Sequence, residues 1–215
     1  YSLSMKKRPH DVPTVAAVAA AAGVSTATVS RVLNTPLAVR EALRRQVQTA
    51  VAQLGYVPHA GARAMMLRRS GTIGAVFPTV DNAIFAKAID ALQRRLSEAG
   101  LQLLIATSDY DPDAEMRQAV NLVTRGADAL ALCGAGQRSE LLEFLRQRGL
   151  PCVHVMTLLP GDAPMTSVGF DNAGAMAQAV RYLIDLGHRR IAMLAGVTRD
   201  NDRASARVAG ARQAL

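Results

Sequence analysis

From Gly71 onward the chain alternates short apolar runs with amphipathic stretches, and that alternation restricts its fold more than any other feature. The runs are TIGAVF (72–77), LQLLIAT (101–107), ALALC (129–133), CVHVM (152–156) and IAMLA (191–195). Helical patterns over 83–99, 113–125, 139–148 and 172–186 separate them, and a last one covers about 203–215. Gly100, Gly126, Gly149 and Gly187 each stand just past a helical stretch, where a left-handed residue is favoured. Apolar runs without polar alternation predict strands buried on both faces. Strands alternating with helices predict βαβ units and a doubly wound parallel sheet, so the class expected is α/β.

The first third reads differently. Thr14 is placed to cap the helix VAAVAAAA (15–22), which Gly23 ends. Ser25 is placed to cap a second helix over 26–33, closed by Asn34 and Pro36. A third helix over about 39–54 carries Val39, Leu43, Val47, Ala50, Val51 and Leu54 on one face, and Gly55 stops it. An apolar helix, a Gly-Val-Ser turn and a second short helix make an all-α helix-turn-helix head. The alanines allow close approach, and Val24 and Val29 fill the space between the helices. HAGARAMMLRR (59–69) has a weak helical pattern broken by Gly61, too short to persist as a helix unaided.

Charge follows the same division. The 215 residues sum to +8. Residues 1–70 hold ten Lys and Arg against Asp11 and Glu41, and residues 71–215 hold fifteen of each sign. All of the net charge therefore sits in the first third, which points to a polyanion-binding head on a neutral body. The second helix shows short hydroxyls and small residues near its start, where the helix terminus favours anions, and Arg31 has the fork that reads a guanine edge.

Other classes fare worse. Neither GxSxG nor GxxxxGK[ST] occurs. GAGQRS (134–139) lacks the third glycine of a dinucleotide fingerprint. His10, His59, His154 and His188 are scattered without metal-ligand spacing, and the acids of DYDPDAE (109–115) suit a helix start. The expectation is a non-enzyme with no cofactor and no metal. Cys133 and Cys152 lie in apolar runs and read as reduced core residues. There is no uncharged apolar run of about 18 residues and no secretory pattern at the start, so no membrane association and a cytoplasmic location are expected.

TVAAVAAAAGVSTATVSRVLN (14–34), LGYVP (54–58), RRSGTIGAVFP (68–78), GHRRIAMLAG (187–196) and ARVAG (206–210) together resemble the lactose-repressor family of bacterial transcription regulators. The resemblance implies a DNA-binding domain over 1–58, a hinge over 59–70 and a periplasmic-binding-protein-like sensing domain over 71–215. That domain would have a first lobe over about 71–160 and a second lobe, incomplete here, over about 165–215. It implies a repressor acting as a homodimer on a pseudo-palindromic operator, with affinity controlled by a small sugar-like effector. The alternative is a cytosolic small-molecule binding protein with only non-specific DNA affinity. Thr26 and Ala27 would stand where operator sequence is set, and Arg31 would contact a base. Ser25, Thr28, Ser30, Asn34 and Tyr56 would contact phosphate, with Thr14 beside them at the start of the first helix. Met65 would wedge into a central base step with Ala62 beside it. Ile84 and Phe85 would face the effector, and Arg207, with Arg203 as a further candidate, would clamp it. Met156 stands where the family usually has Asp.

Overall fold

The structure, a computed structural model, describes residues 13–58, 69–161, 163 and 165–215. Ala62 and Met65, expected in the hinge, lie outside the described residues. The chain divides into two compact units, Tyr1–Met66 and Leu67–Leu215.

The first unit is helical. Helix α1 (Val15–Ala21) starts at Thr14, whose Oγ1 accepts from Ala17 N at 3.2 Å. Helix α2 (Thr26–Asn34) meets it at 103°. Between them the chain must turn within four residues, and Gly23 does so at φ +58. Val24 N then reaches back to Ala19 O at 2.9 Å, which satisfies a carbonyl the helix end would otherwise leave open. A 3-10 turn (Pro36–Ala38) leads into α3 (Glu41–Leu54), which starts later than the expected third helix. Val18, Val29 and Val47, one from each helix, are fully buried and form the centre of this small core. Gln46 Nε2 also donates to Ala22 O at 2.9 Å, bracing α3 against the end of α1.

The second unit is built on a parallel sheet. Strands β1 (Thr72–Phe77), β2 (Gln102–Thr107), β3 (Ala129–Cys133), β4 (Cys152–Val155) and β5 (Thr166–Val168) lie in the order β2-β1-β3-β4-β5. Helices α4 (Ala83–Glu98), α5 (Pro112–Thr124) and α6 (Ser139–Gln147) connect the first four. The period-2 pleat sorts the side chains. Val76, Leu130 and Leu132 pack with Leu122 of α5 and Leu141 and Leu145 of α6. Ala75, Phe77, Ala131 and Cys133 face the other way, with Phe85 of α4. The sheet is therefore clothed on both sides, as its apolar central strands require. Burial pushes the Cys133 and Cys152 thiols up to about 11, so both are neutral core groups at ordinary pH.

Asp128 fixes the point where the chain enters the sheet. Its carboxylate accepts from Ser70 N at 3.0 Å and from Gly71 N at 2.8 Å. Ser70 Oγ in turn accepts from Thr72 N at 2.9 Å.

Helices α7 (Asn172–Asp185) and α8 (Asp202–Ala214) complete the unit and pack on each other. A Cβ at Gly210 would run into the Ala173 carbonyl, so the two backbones touch there. One expectation is revised. IAMLA (191–195) is not a strand. No strand among the described residues lies beside it to complete a ladder, and Leu194 is fully exposed. Conversely β5, a strand that the sequence did not announce, pairs with β4 through Val153–Thr166 and Val155–Val168. Among the described residues, no single helix is long and apolar enough to cross a membrane.

Candidate functional site

In the head, the N-terminus of α2 is the feature with chemistry. Ser25, the N-cap, accepts from Thr28 N at 3.2 Å, and its Oγ lies 2.9 Å from Thr28 Oγ1. Ser25, Thr26 and Ala27 are exposed, and no acidic side chain occupies the first turn. The free backbone donors of that turn are therefore available to an anion, with hydroxyls around them. Arg31 is exposed on the same helix. Further along, Asn34 Nδ2 donates to Ser30 O at 2.9 Å and approaches Ser30 Oγ at 3.3 Å, so these two expected phosphate contacts are tied to each other. Tyr56 is half-buried against the head core. Thr14 caps α1 and makes no contact with the α2 cluster in the hydrogen bonds described.

In the second unit, the strand order reverses direction between β1 and β3. Ligands in such sheets sit outside the carboxyl ends of strands at that switch point. A cleft of about 140 Å³ lies there, and Ile84, Phe85, Arg203 and Arg207 all line it. All four expected effector residues thus converge on one place. Their environments differ. Ile84 is exposed, while Phe85 is 7% exposed and tilts against Phe77 with ring centroids 5.8 Å apart. Phe85 is therefore a core residue that shows one edge to the cleft. Its helix starts at Asn82, whose Oδ1 accepts from Ile84 N at 3.0 Å.

Sequence reasoning missed two buried amides that line the cleft, one of which holds Arg207. Asn172 is buried at the start of α7 and accepts from Arg207 Nη1 at 2.6 Å. Its Nδ2 donates to Met156 O and Phe170 O at 3.2 and 3.3 Å. Asn201 caps α8, accepting from Ala204 N at 3.2 Å, and donates to Val197 O at 2.8 Å. In the sequence both read as ordinary helix starts; a buried amide carries no periodic signal.

Below this cleft lies a second, smaller recess of about 20 Å³, shared through Arg203 and Tyr110. Arg203 is 6% exposed, its Nη1 has no hydrogen-bond partner, and Asp202 Oδ1 stands 3.5 Å away. Asp202 spends its other oxygen on Ala135 N at 2.9 Å. Glycine is needed at 134: φ is +87, and a Cβ would strike the Arg203 guanidinium. Gln137 Nε2 donates to Glu115 Oε1 at 3.1 Å. Burial holds the Glu115 carboxyl above the usual range, against the lowering effects of Gln137 and Arg203.

Backbone strain gathers at the same edge. Asp109, Tyr110, Met156 and Asp200 have φ of +51, +60, +66 and +52. Tyr110 and Met156 line the larger cleft. Side chains of that size rarely adopt such angles, and strain of this kind concentrates at ligand sites. Among the described residues, no group of three His, Cys, Asp or Glu is placed to hold a metal.

Comparison with known proteins matches both units. Residues 70–215 fit the model described as periplasmic binding proteins and sugar binding domain of LacI family. Residues 14–59 fit bacterial regulatory proteins, lacI family. The chain belongs to the LacI family. A family member from Thermobifida fusca, the HTH-type transcriptional regulator CelR, is 35% identical over 209 residues, 94% of this chain and 61% of that one. GntR from Pseudomonas aeruginosa is 32% identical over 182 residues, 85% of this chain and 53% of its own length. Among solved LacI-family structures, a lac repressor dimer bound to operator and the anti-inducer ONPF superposes with TM-score 0.80 at 25% identity. That match covers 95% of this chain and 62% of the repressor. The chain thus spans less than two thirds of the relatives it matches.

Proposed function

We propose that this chain serves a ligand-responsive transcriptional regulator, a repressor that binds a pseudo-palindromic operator as a homodimer. The single observation that carries the reading is the exposed N-terminus of α2. It presents hydroxyls, open backbone donors and Arg31, in the part of the chain that holds all of the net charge. Ser25 and Thr28 bind phosphate, Thr26 and Ala27 face the variable bases, and Arg31 reads a base edge. Ser30, Asn34, Tyr56 and Thr14 serve as backbone contacts. The stretch 59–70 acts as a hinge between a DNA-binding domain over 1–58 and a sensing domain over 71–215, with Met65 as the apolar wedge and Ala62 beside it.

The sensing domain takes a small polyhydroxylated effector in the cleft lined by Ile84, Phe85, Arg203 and Arg207. The solved structure of a CelR–cellobiose complex, 33% identical, and a Cra regulator from Pseudomonas putida with fructose 1-phosphate, 29% identical, support that class of ligand. The effector biases the sensing domain, and the hinge passes that bias to the head as a coupling free energy. No catalytic role is assigned, and the protein works in the cytoplasm with DNA.

Selection of bound duplexes from a random DNA pool at near-physiological salt tests the reading. The expected result is an enriched inverted repeat, lost in Arg31→Ala. Purely salt-sensitive binding with no enriched sequence would favour the second reading, a small-molecule binding protein with a general phosphate-binding head.

A further inference from the structure

Two carboxylates and one guanidinium meet in the recess of about 20 Å³ that Glu115, Gln137, Asp202 and Arg203 line together. Glu115 comes from α5, Gln137 from the loop ahead of α6, and Asp202 and Arg203 from the first turn of α8. Asp202 Oδ1 faces Arg203 Nη1 at 3.5 Å as an ion pair, and Asp202 Oδ2 accepts from Ala135 N at 2.9 Å. With Glu115 ionised, two negative charges share one positive charge; with Glu115 protonated, one of each remains. The recess has room for about one water molecule, so the surplus charge is poorly solvated. The charged groups at its rim are paired among themselves: Asp111 with Arg117, Asp113 with Arg138, and Asp200 with Arg199. Cys133 of β3 and Cys152 of β4 bring neutral thiols, and Tyr110 brings its phenol ring.

Gln137 makes the protonation state matter. Its Nε2 donates to Glu115 Oε1 at 3.1 Å, while its own Oε1 is buried without a hydrogen-bond partner. An ionised carboxylate is an acceptor only and has nothing to give that oxygen; a carboxylic acid carries one donor. A planar acid and a planar primary amide can close a ring of two hydrogen bonds, amide N–H to acid carbonyl and acid O–H to amide carbonyl. The first of these bonds is present, and the second comes with the proton. Burial holds the Glu115 carboxyl above the usual range, so it takes up that proton at a higher pH than an exposed glutamate does.

We propose that Glu115 and Gln137 are a proton-operated switch: acidification closes an acid–amide pair between them and leaves Arg203 to Asp202 alone. Arg203 also lines the larger cleft, so the switch sets the charge beneath the effector. That consequence rests on the reading of the cleft as the effector site; the switch itself does not.

NMR titration of the 215-residue chain from about pH 4 to about pH 8, around the ordinary carboxylate range, tests it. Three signals are followed: the Glu115 carboxyl carbon, the Gln137 side-chain amide and the Arg203 Nε–H. Through-bond correlation assigns them, so the test does not depend on a variant that must fold. The Glu115 midpoint is expected above that of the glutamates in the urea-unfolded chain. The Gln137 and Arg203 signals are expected to move with the same midpoint and to lose that step in Glu115→Gln. A Glu115 midpoint at or below the unfolded value overturns the proposal. So do Gln137 or Arg203 signals that stay flat while Glu115 titrates, or that keep the step in Glu115→Gln. DNA selection is read separately. A chain that shows the shared step but selects no inverted repeat loses only the regulator reading, and a chain that selects one without the shared step loses only the switch.

Discussion

Glu115 shows how much a single side chain's surroundings decide. It sits beside Gln137 in the smaller recess, and burial is the largest influence on its carboxyl, which is held above the usual range. The folded protein therefore takes up a proton at a higher pH than the unfolded chain. Between those two values the folded state binds more protons, so stability falls as pH rises through the raised value. The contribution is greatest below the unfolded value and is lost above the folded one. Melting temperatures of the parent and of Glu115→Gln, measured from about pH 4 to about pH 8 around the ordinary carboxylate range, should diverge in slope. The parent should decline through that window more than the variant, and parallel curves would count against the assignment. Arg203 illustrates the opposite fate of a charge: Gly134 leaves room for its guanidinium in the interior, and Asp202 Oδ1 faces it at 3.5 Å as a counter-charge. Neither environment was legible in the sequence. Arg203 and Arg207 stood out only through the family resemblance, whereas Asn172, Gln137 and Glu115 are isolated polar residues whose roles arise only when distant elements meet.

Among the elements, those with a strong period were legible and those defined by their partners were not. Strands β1 to β4 and the helices between them follow from continuous apolar runs and glycine stops, within a residue or two. β5 is three residues with little pattern, and it is a strand because β4 offers it a ladder. IAMLA has the stronger β composition but nothing described to pair with. The pair α7 and α8 depends on one close approach. Gly210 meets the Ala173 carbonyl, one turn from Arg207 on α8 and one residue from Asn172 on α7. Gly210→Ala should push the helices apart at a cost of about 1–3 kcal/mol. Because that shift would also separate Arg207 from Asn172, ligand affinity should fall with it. Urea unfolding of the second unit's transition measures the first effect, and an unchanged midpoint would show that the helices accommodate a methyl group.

For the molecule as a whole, charge and fold divide along the chain in parallel. The surplus of positive charge lies in residues 1–70, and residues 71–215 are balanced. Affinity for DNA should therefore collapse with salt, by roughly a thousandfold between about 50 and about 200 mM if six or more phosphates are contacted. Filter-binding or anisotropy titrations on a single duplex read that slope directly. A shallow slope would mean that the basic residues serve solubility instead. The placement of α2 against α1 in the head was implied by the sequence, because it follows from short-range rules, whereas the strand order that positions the cleft is set by long-range pairing.

The Asp128 anchorage has a mechanical consequence. One carboxylate grips two successive backbone nitrogens at the mouth of β1, and the first serine locks back onto the strand. Tension applied upstream of Ser70 meets these bonds before it meets the ladder of β1. It loads β1 in shear between β2 and β3, along rows of parallel backbone bonds that must yield together. The entry to the sheet is thus tied down at both of its first backbone nitrogens, directly ahead of β1.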